Sequence, residues 1–328
     1  VLGPLVDGWF GKAVDIFAIL ATLFGTTTSL GLGASQIDEG MSTLFGTSEG
    51  VGTQIAVIAV ITVLFTLSAM SGVHRGVKYI SQITTVLGVG LAVYVVVFGP
   101  TDFISNLFVR SVGLYANDFA STSLFTPLRP DDMAWMQWWT YFMMAWWLSW
   151  GAFVGVFLAK ISKGRTIREF IAGVLVVPSL VFFVWFTIFG GSAIKLDMDG
   201  AGIVQATNEN INNAFFALLD NLPLTQVTSV AALLLVALFF ISGADANTYV
   251  LGMLSCRGTL YPRRWVLLAW GLLTGTCAVV LLLANGLAAL QQAALLSALP
   301  FTVIVSLLGI SLVKELRQES RAAAPGLP

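Results

Sequence analysis

Along this chain, runs of apolar residues close to bilayer length alternate with short polar connections. The runs fall near 16–34, 54–70, 80–98, 135–159, 170–189, 227–254, 265–283 and 293–313. A helix that crosses a membrane needs about 20 mostly apolar residues, so each run predicts one spanning helix. A single run of this kind could be the buried helix of a soluble protein. Eight in one chain predict an all-α integral membrane protein, a helical bundle in which every backbone polar group is satisfied within its own helix.

The charges support that reading and orient it. Of the 16 basic residues, all but Arg110, Arg129 and Lys195 fall at the two ends or in alternate connections, among them Lys12, Arg75, Lys78, Lys160, Arg168, Arg257, Arg264, Lys314 and Arg321. The remaining connections carry most of the acids, including Asp131, Asp132, Asp197, Asp199 and Glu209. The excess of Lys and Arg on one side predicts that both ends of the chain are cytoplasmic.

Two connections are long. The stretch 101–119 mixes apolar residues with Asp102, Asn106, Arg110 and Asp118 and predicts an amphipathic helix at the outer surface. The stretch 195–221 is polar and acidic and is expected to be an outer loop, and the charged tail from 315 is assigned no fold.

Composition then narrows the function. The chain is 57% hydrophobic and 10% charged, with a formal net charge of −1 and a mean hydropathy of +0.88. Nothing here grips a nucleic-acid backbone, so nucleic acid is not an expected partner, whereas membrane lipid is. Two cysteines, Cys256 and Cys277, and one histidine, His74, give neither a disulfide framework nor a Cys/His metal cage. An enzyme would need a nucleophile–base pair or a metal cluster, and a channel a polar stripe along a pore, so the chain is read as neither. It begins at Val1 with no signal peptide ahead of the first run, which suggests a fragment.

The candidate chemistry sits in three runs. Residues 135–153 hold six of the ten Trp. Trp135, Trp138 and Trp139 suit an interfacial belt. Trp146, Trp147 and Trp150 lie roughly 16–22 Å further along the helix, at mid-bilayer depth. Phe142, Trp146 and Trp150 recur every four residues on one stripe, and Trp147 is turned about 100° away on a regular helix. One pocket receives them all only if the helix opens, and Gly151 would let it. A cage of indoles suits a quaternary ammonium, which donates no ordinary hydrogen bond but is drawn to aromatic faces; ordinary helix packing is the alternative.

In the first run, Thr22 and Thr26 share a face, as a hard-cation site or as self-satisfied helix hydroxyls. In the sixth, Asp245 is an intramembrane carboxylate, either a proton-coupling group or an acid near the inner end satisfied by helix termini or a loop Lys or Arg.

Three segments carry a resemblance. WTYFMMAWWLSWGAFVGVFLAKISKGRTIREF at 139–170, FGTTTSLGLGASQI at 24–37 and FFISGADANTYVLG at 239–252 resemble the betaine/choline/carnitine transporter family, in the family's order. The likeness runs from about 12 to 314. It implies a partial LeuT-type fold of two inverted five-helix repeats. On that comparison the chain starts at the family's fifth spanning helix: 1–130 would hold the last three helices of the first repeat plus the outer amphipathic helix, 131–314 the complete second repeat, and 315–328 a short cytoplasmic tail. The implied fragment would not transport alone.

Residue by residue, the resemblance implies that Trp147 is the box tryptophan, that Trp146 and Phe142 line the pathway, and that Trp150 meets substrate on its way inward. Thr22, Thr26 and Phe153 match one sodium site. Phe239 and Ser242 match part of a second, from which Gly243 removes a hydroxyl. The resemblance leaves open a single sodium, a proton, or exchange without an ion gradient, and implies no other cofactor. The implied activity is import of glycine betaine, choline or carnitine across a bacterial inner membrane, with a sulfonium such as dimethylsulfoniopropionate as the alternative substrate. Some relatives trimerise, which makes a homotrimer one implied assembly. The short tail does not imply osmotic activation.

Overall fold

The structure is a computed structural model that describes residues 3, 7–71 and 76–322, with side chains described to residue 319 and from 79 after the gap. His74, Arg75 and the side chain of Lys78 lie outside the described residues, as does the end of the tail.

All eight predicted runs fall in helices. They are α1 (Trp9–Phe45), α2 (Val51–Ser71), α3 (Gly76–Phe98), a bent helix formed by α5 (Pro130–Met136), a π turn at Gln137–Phe142, α6 (Met143–Ser149) and α7 (Gly151–Ile161), then α8 (Ile167–Met198), α11 (Thr225–Ser255) and α12 (Arg264–Ala322). The last two runs are the halves of α12, which breaks where Asn285 (φ −157°, ψ 34°) and Gly286 (φ 60°, ψ −146°) leave helical geometry. Gly286 supplies the positive φ that an ordinary residue resists. The amphipathic stretch forms α4 (Thr101–Ser123), laid against α8 with Tyr115 edge-on to Phe183.

Two expectations need correction. The 195–221 stretch is not a loop: α8 continues to Met198, and α9 (Ile203–Glu209) and α10 (Ala214–Asp220) follow. Ile203, Phe216, Leu218 and Leu219 are buried there against Leu91, Val95 and Phe189. These few apolar residues among many polar ones anchor a folded cap through contacts distant in sequence. The tail likewise has structure as far as Ala322, because Lys314–Glu315–Leu316–Arg317–Gln318 are strong helix formers that simply extend α12.

The core is built by α1, α2, α11 and α12, each packed on the other three. The apolar window of α1 is 61% buried and that of α8 only 11%, so α1 is the central post and α8 lies at the rim. Small residues make this possible: a Cβ on Gly33 would overlap the ring of Phe240, and one on Gly31 the tip of Leu290. Without a hydrophobic force between helices in lipid, such close approach supplies the packing. Thr28 adds a hydroxyl bond from α1 to the Leu290 carbonyl at 2.7 Å, beside the α12 break. Phe65, Leu30, Ile58, Ile241 and Leu282 fill the space between these four helices.

Candidate functional site

The aromatic run lies on a helix that is neither regular nor unwound. It loosens into a π turn over Gln137–Phe142, then bends by 51° between its Ser149 end and its Gly151 start. The bend is a tightened turn, in which the Trp150 amide bonds the Trp147 carbonyl at 3.2 Å. Trp150 keeps right-handed helical angles. Gly151 serves a close approach: a Cβ there would lie 3.1 Å from Cε1 of Phe301 on α12. The opening expected at Gly151 is thus a bend rather than an unwinding.

This geometry divides the aromatic residues between two faces. Phe142, 6% exposed, stacks on Trp146 with centroids 5.7 Å apart and planes 12° apart. Trp146 meets Trp150 edge-on at 5.4 Å. This stripe faces α1, where the Trp146 indole N–H donates to the Gly25 carbonyl at 3.1 Å. Trp147 faces the other way: it is 54% exposed, lies edge-on to Phe182 of α8 at 5.8 Å, and reaches Trp150 at 6.1 Å. Trp150 therefore belongs to both faces, and its buried indole N–H has no hydrogen-bond partner among the described residues. Trp147, Trp150 and Phe182 make an aromatic corner at the bend, while Phe142 and Trp146 stand behind it.

The threonine pair of α1 is buried beside that stripe. Thr26 donates its hydroxyl to the Thr22 carbonyl at 3.0 Å, which leaves its oxygen lone pairs free. Thr22 is fully buried and its hydroxyl has no partner among the described residues. An unpartnered buried hydroxyl is costly, and a hard cation is one group that would satisfy it. Phe153 sits on α7, which packs against α1. The chemistry of these oxygens fits a monovalent cation.

The second set is arranged differently. Phe239 is 62% exposed, Ser242 is half-buried, and Gly243 is exposed with nothing within 4 Å of where a Cβ would stand. These residues lie on a face of α11 that the described chain leaves open.

Asp245 is 0% exposed and is held by a residue the sequence reading did not name. The Ser68 hydroxyl of α2 donates to one carboxyl oxygen, and the other has no partner among the described residues. Neighbouring Asn247 is buried with both amide atoms unpartnered among the described residues. Among the described residues the ion pairs are Arg129–Asp132 and Lys195–Asp199, neither of which involves Asp245, and the side chains of Arg75 and Lys78 lie outside the described residues. Ser68 stands three residues before the end of α2, so Asp245 lies toward the end of the bundle that leads into 72–75.

Phe182, Gly25 and Ser68 are the site residues that sequence reasoning missed. Phe182 gave no signal of its own in a run that is apolar on every side, and its stack on Phe186 one turn along α8 is seen only in the structure. Ser68 had none either, because a lone serine near a helix end is ordinary.

Bilayer-length apolar helices gathered round a central post, with aromatic and hydroxyl groups converging where one of them bends, define a helical integral membrane protein. The chain belongs to the betaine/carnitine/choline family of transporters, whose family model matches residues 1–321. It is 46% identical over 323 residues to the glycine betaine transporter OpuD of Bacillus subtilis, covering 98% of this chain and 62% of that protein. It is 40% identical to a probable glycine betaine transporter of Desulfitobacterium hafniense, covering 97% and 64%. It is also 40% identical to an ectoine/hydroxyectoine transporter of Virgibacillus pantothenticus, covering 96% and 63%. The chain thus spans a little under two thirds of the length of these relatives.

Proposed function

We propose that this protein is a secondary transporter that imports a quaternary ammonium compatible solute, glycine betaine first and choline or carnitine next, by ion-coupled alternating access. The observation that carries the reading is the corner of Trp147, Trp150 and Phe182 at the 51° bend. A methylated ammonium lies against such faces with roughly 2 kcal/mol of attraction each when dry. The names of the glycine betaine relatives point the same way. The orientation follows from the basic connections, with both ends of this segment cytoplasmic in a bacterial inner membrane. The domain plan of a partial first repeat before 131 and a complete second repeat to 314 belongs to the same proposal.

Sodium is the proposed coupling ion, held by Thr22 and Thr26 beside Phe153, with the Phe239/Ser242 face weakened by Gly243. Uptake of labelled glycine betaine is measured in cells that lack their own osmolyte carriers and express the full-length gene product. Uptake in sodium buffer should exceed uptake in potassium buffer at least tenfold. Thr22→Val, which keeps the side-chain volume and removes the hydroxyl, should bring the two within about twofold by deleting an ion ligand. Uptake indifferent to sodium but abolished by a protonophore would transfer coupling to Asp245. In that case Asp245→Asn should abolish accumulation while leaving counterflow. Absence of any betaine uptake or competition would overturn the substrate assignment.

A further inference from the structure

We infer that the hydrogen bond from the Trp146 indole to the Gly25 carbonyl is the joint through which the Thr22/Thr26 ion site and the aromatic corner influence each other. Trp146 is then a positioning residue for coupling. The inference rests on the transport reading above and adds to it the physical link between the two ligands.

Gly25 lies between the two threonines in sequence, about 60° round the helix from Thr22 and about 100° from Thr26. Its lack of a side chain lets α6 come against the α1 backbone. A Cβ there would overlap the Ser149 hydroxyl and stand 2.7 Å from Cδ1 and 3.0 Å from Nε1 of Trp150. The carbonyl of buried Gly25 accepts two side-chain bonds, from Trp146 at 3.1 Å and from the Ser29 hydroxyl at 3.0 Å. Ser149, fully buried, donates back to the Trp146 carbonyl at 2.6 Å and so ties the notch to the turn that carries the indole.

Unpaired atoms flank this joint on both sides. Among the described residues the Thr22 hydroxyl on the α1 side has no partner, and the Trp150 indole N–H on the α6 side has none. Buried groups of this kind are costly to leave unpaired. A cation would satisfy the first, and the carboxylate of a zwitterionic solute the second. A cation drawing on the threonine oxygens moves the same turn of α1 whose carbonyl holds Trp146. Trp146 in turn packs edge-on against Trp150 at 5.4 Å, and Trp150 reaches Trp147 at 6.1 Å. Each ligand therefore preorganises the pocket of the other, which is a coupling free energy between sites.

The test reads how far one ligand shifts the concentration dependence of the other. In proteoliposomes holding the full-length protein, the sodium concentration for half-maximal uptake is measured at low and at saturating glycine betaine. The wild-type ratio of these two values is expected in the range of roughly five- to 150-fold typical of linked sites. Trp146→Phe keeps a smaller stacking ring and removes the donor, and should bring the ratio to about twofold or less. Gly25→Ala, which keeps the donor but wedges the notch, should do the same. A merely structural defect would lower the maximal rate and leave the ratio where it was. A sodium-coupled wild type whose ratio survives both substitutions overturns the joint and leaves the transport reading intact. A wild type with no sodium dependence overturns the joint together with the ion assignment.

Discussion

Replacing Trp147 by Ala is expected to raise the glycine betaine concentration for half-maximal uptake by about thirtyfold. A dry cation–π contact contributes roughly 2 kcal/mol, and each 1.4 kcal/mol is a factor of ten in affinity. The half-exposed ring of Trp147 is free to offer its face, being touched edge-on by Phe182 and tilted toward Trp150. Trp135, 57% exposed near the start of the same bent helix, has no such neighbours among the aromatic pairs, and Trp135→Ala should change the value by less than about twofold. Trp147→Phe should fall between, since a smaller ring keeps a weaker face. Uptake of labelled betaine over a concentration series checks all three, and equal small effects at 135 and 147 would overturn the corner as the solute site.

The second large effect is expected on stability, at the contact between α2 and α12. Gly271 and Gly275 form a small-residue seam into which Thr66 and Thr62 pack. A Cβ at 271 would overlap the Thr66 hydroxyl and stand 2.9 Å from its Cγ2 and 3.0 Å from its Cβ. A threonine Cβ is attached directly to the backbone and cannot step aside, so the two helices must separate. Gly271→Ala should therefore lower the thermal midpoint in detergent by roughly 5–10 °C, the equivalent of a few kcal/mol in a chain of this size. Thr66→Ala removes the hydroxyl and methyl at the clash and should restore at least half of that loss in the double variant. Non-additivity of that sign is the signature of direct contact. An unchanged midpoint for Gly271→Ala would mean that the seam does not carry the packing.

The two predictions draw on information of different kinds. Trp147 could be singled out from depth and residue type alone, because hydropathy and helical rise place it at mid-bilayer. Its true neighbour Phe182 could not, since α8 reaches it only through the course of the chain between them. The α2–α12 seam is similar: Gly271-x-x-x-Gly275 is a readable motif, but its partners Thr62 and Thr66 lie some two hundred residues earlier. Where the sequence reading went astray, at 195–221 and in the tail, it weighed local polarity. Burial of Phe216, Leu218 and Leu219 under residues from α3 and α8 outweighed that polarity in the first case, and helix propensity did so in the second.

By itself the sequence determined what a bilayer and a backbone demand locally. Eight apolar runs must be helices because lipid offers no other partner for N–H and C=O. The aromatic run must present a four-residue stripe with Trp147 off it, and Asp245 must find some partner inside the bundle. Only the tertiary structure decided which partner and which pocket: Ser68 for Asp245 across 177 residues, Gly25 for Trp146 across 121, and a bend at Trp150 that lets it serve two faces at once. The physical reason is that periodicity and hydropathy are properties of a segment. Hydrogen-bond partners and close backbone approach are properties of how segments pack, set by small residues whose value appears only when the opposing helix is in place.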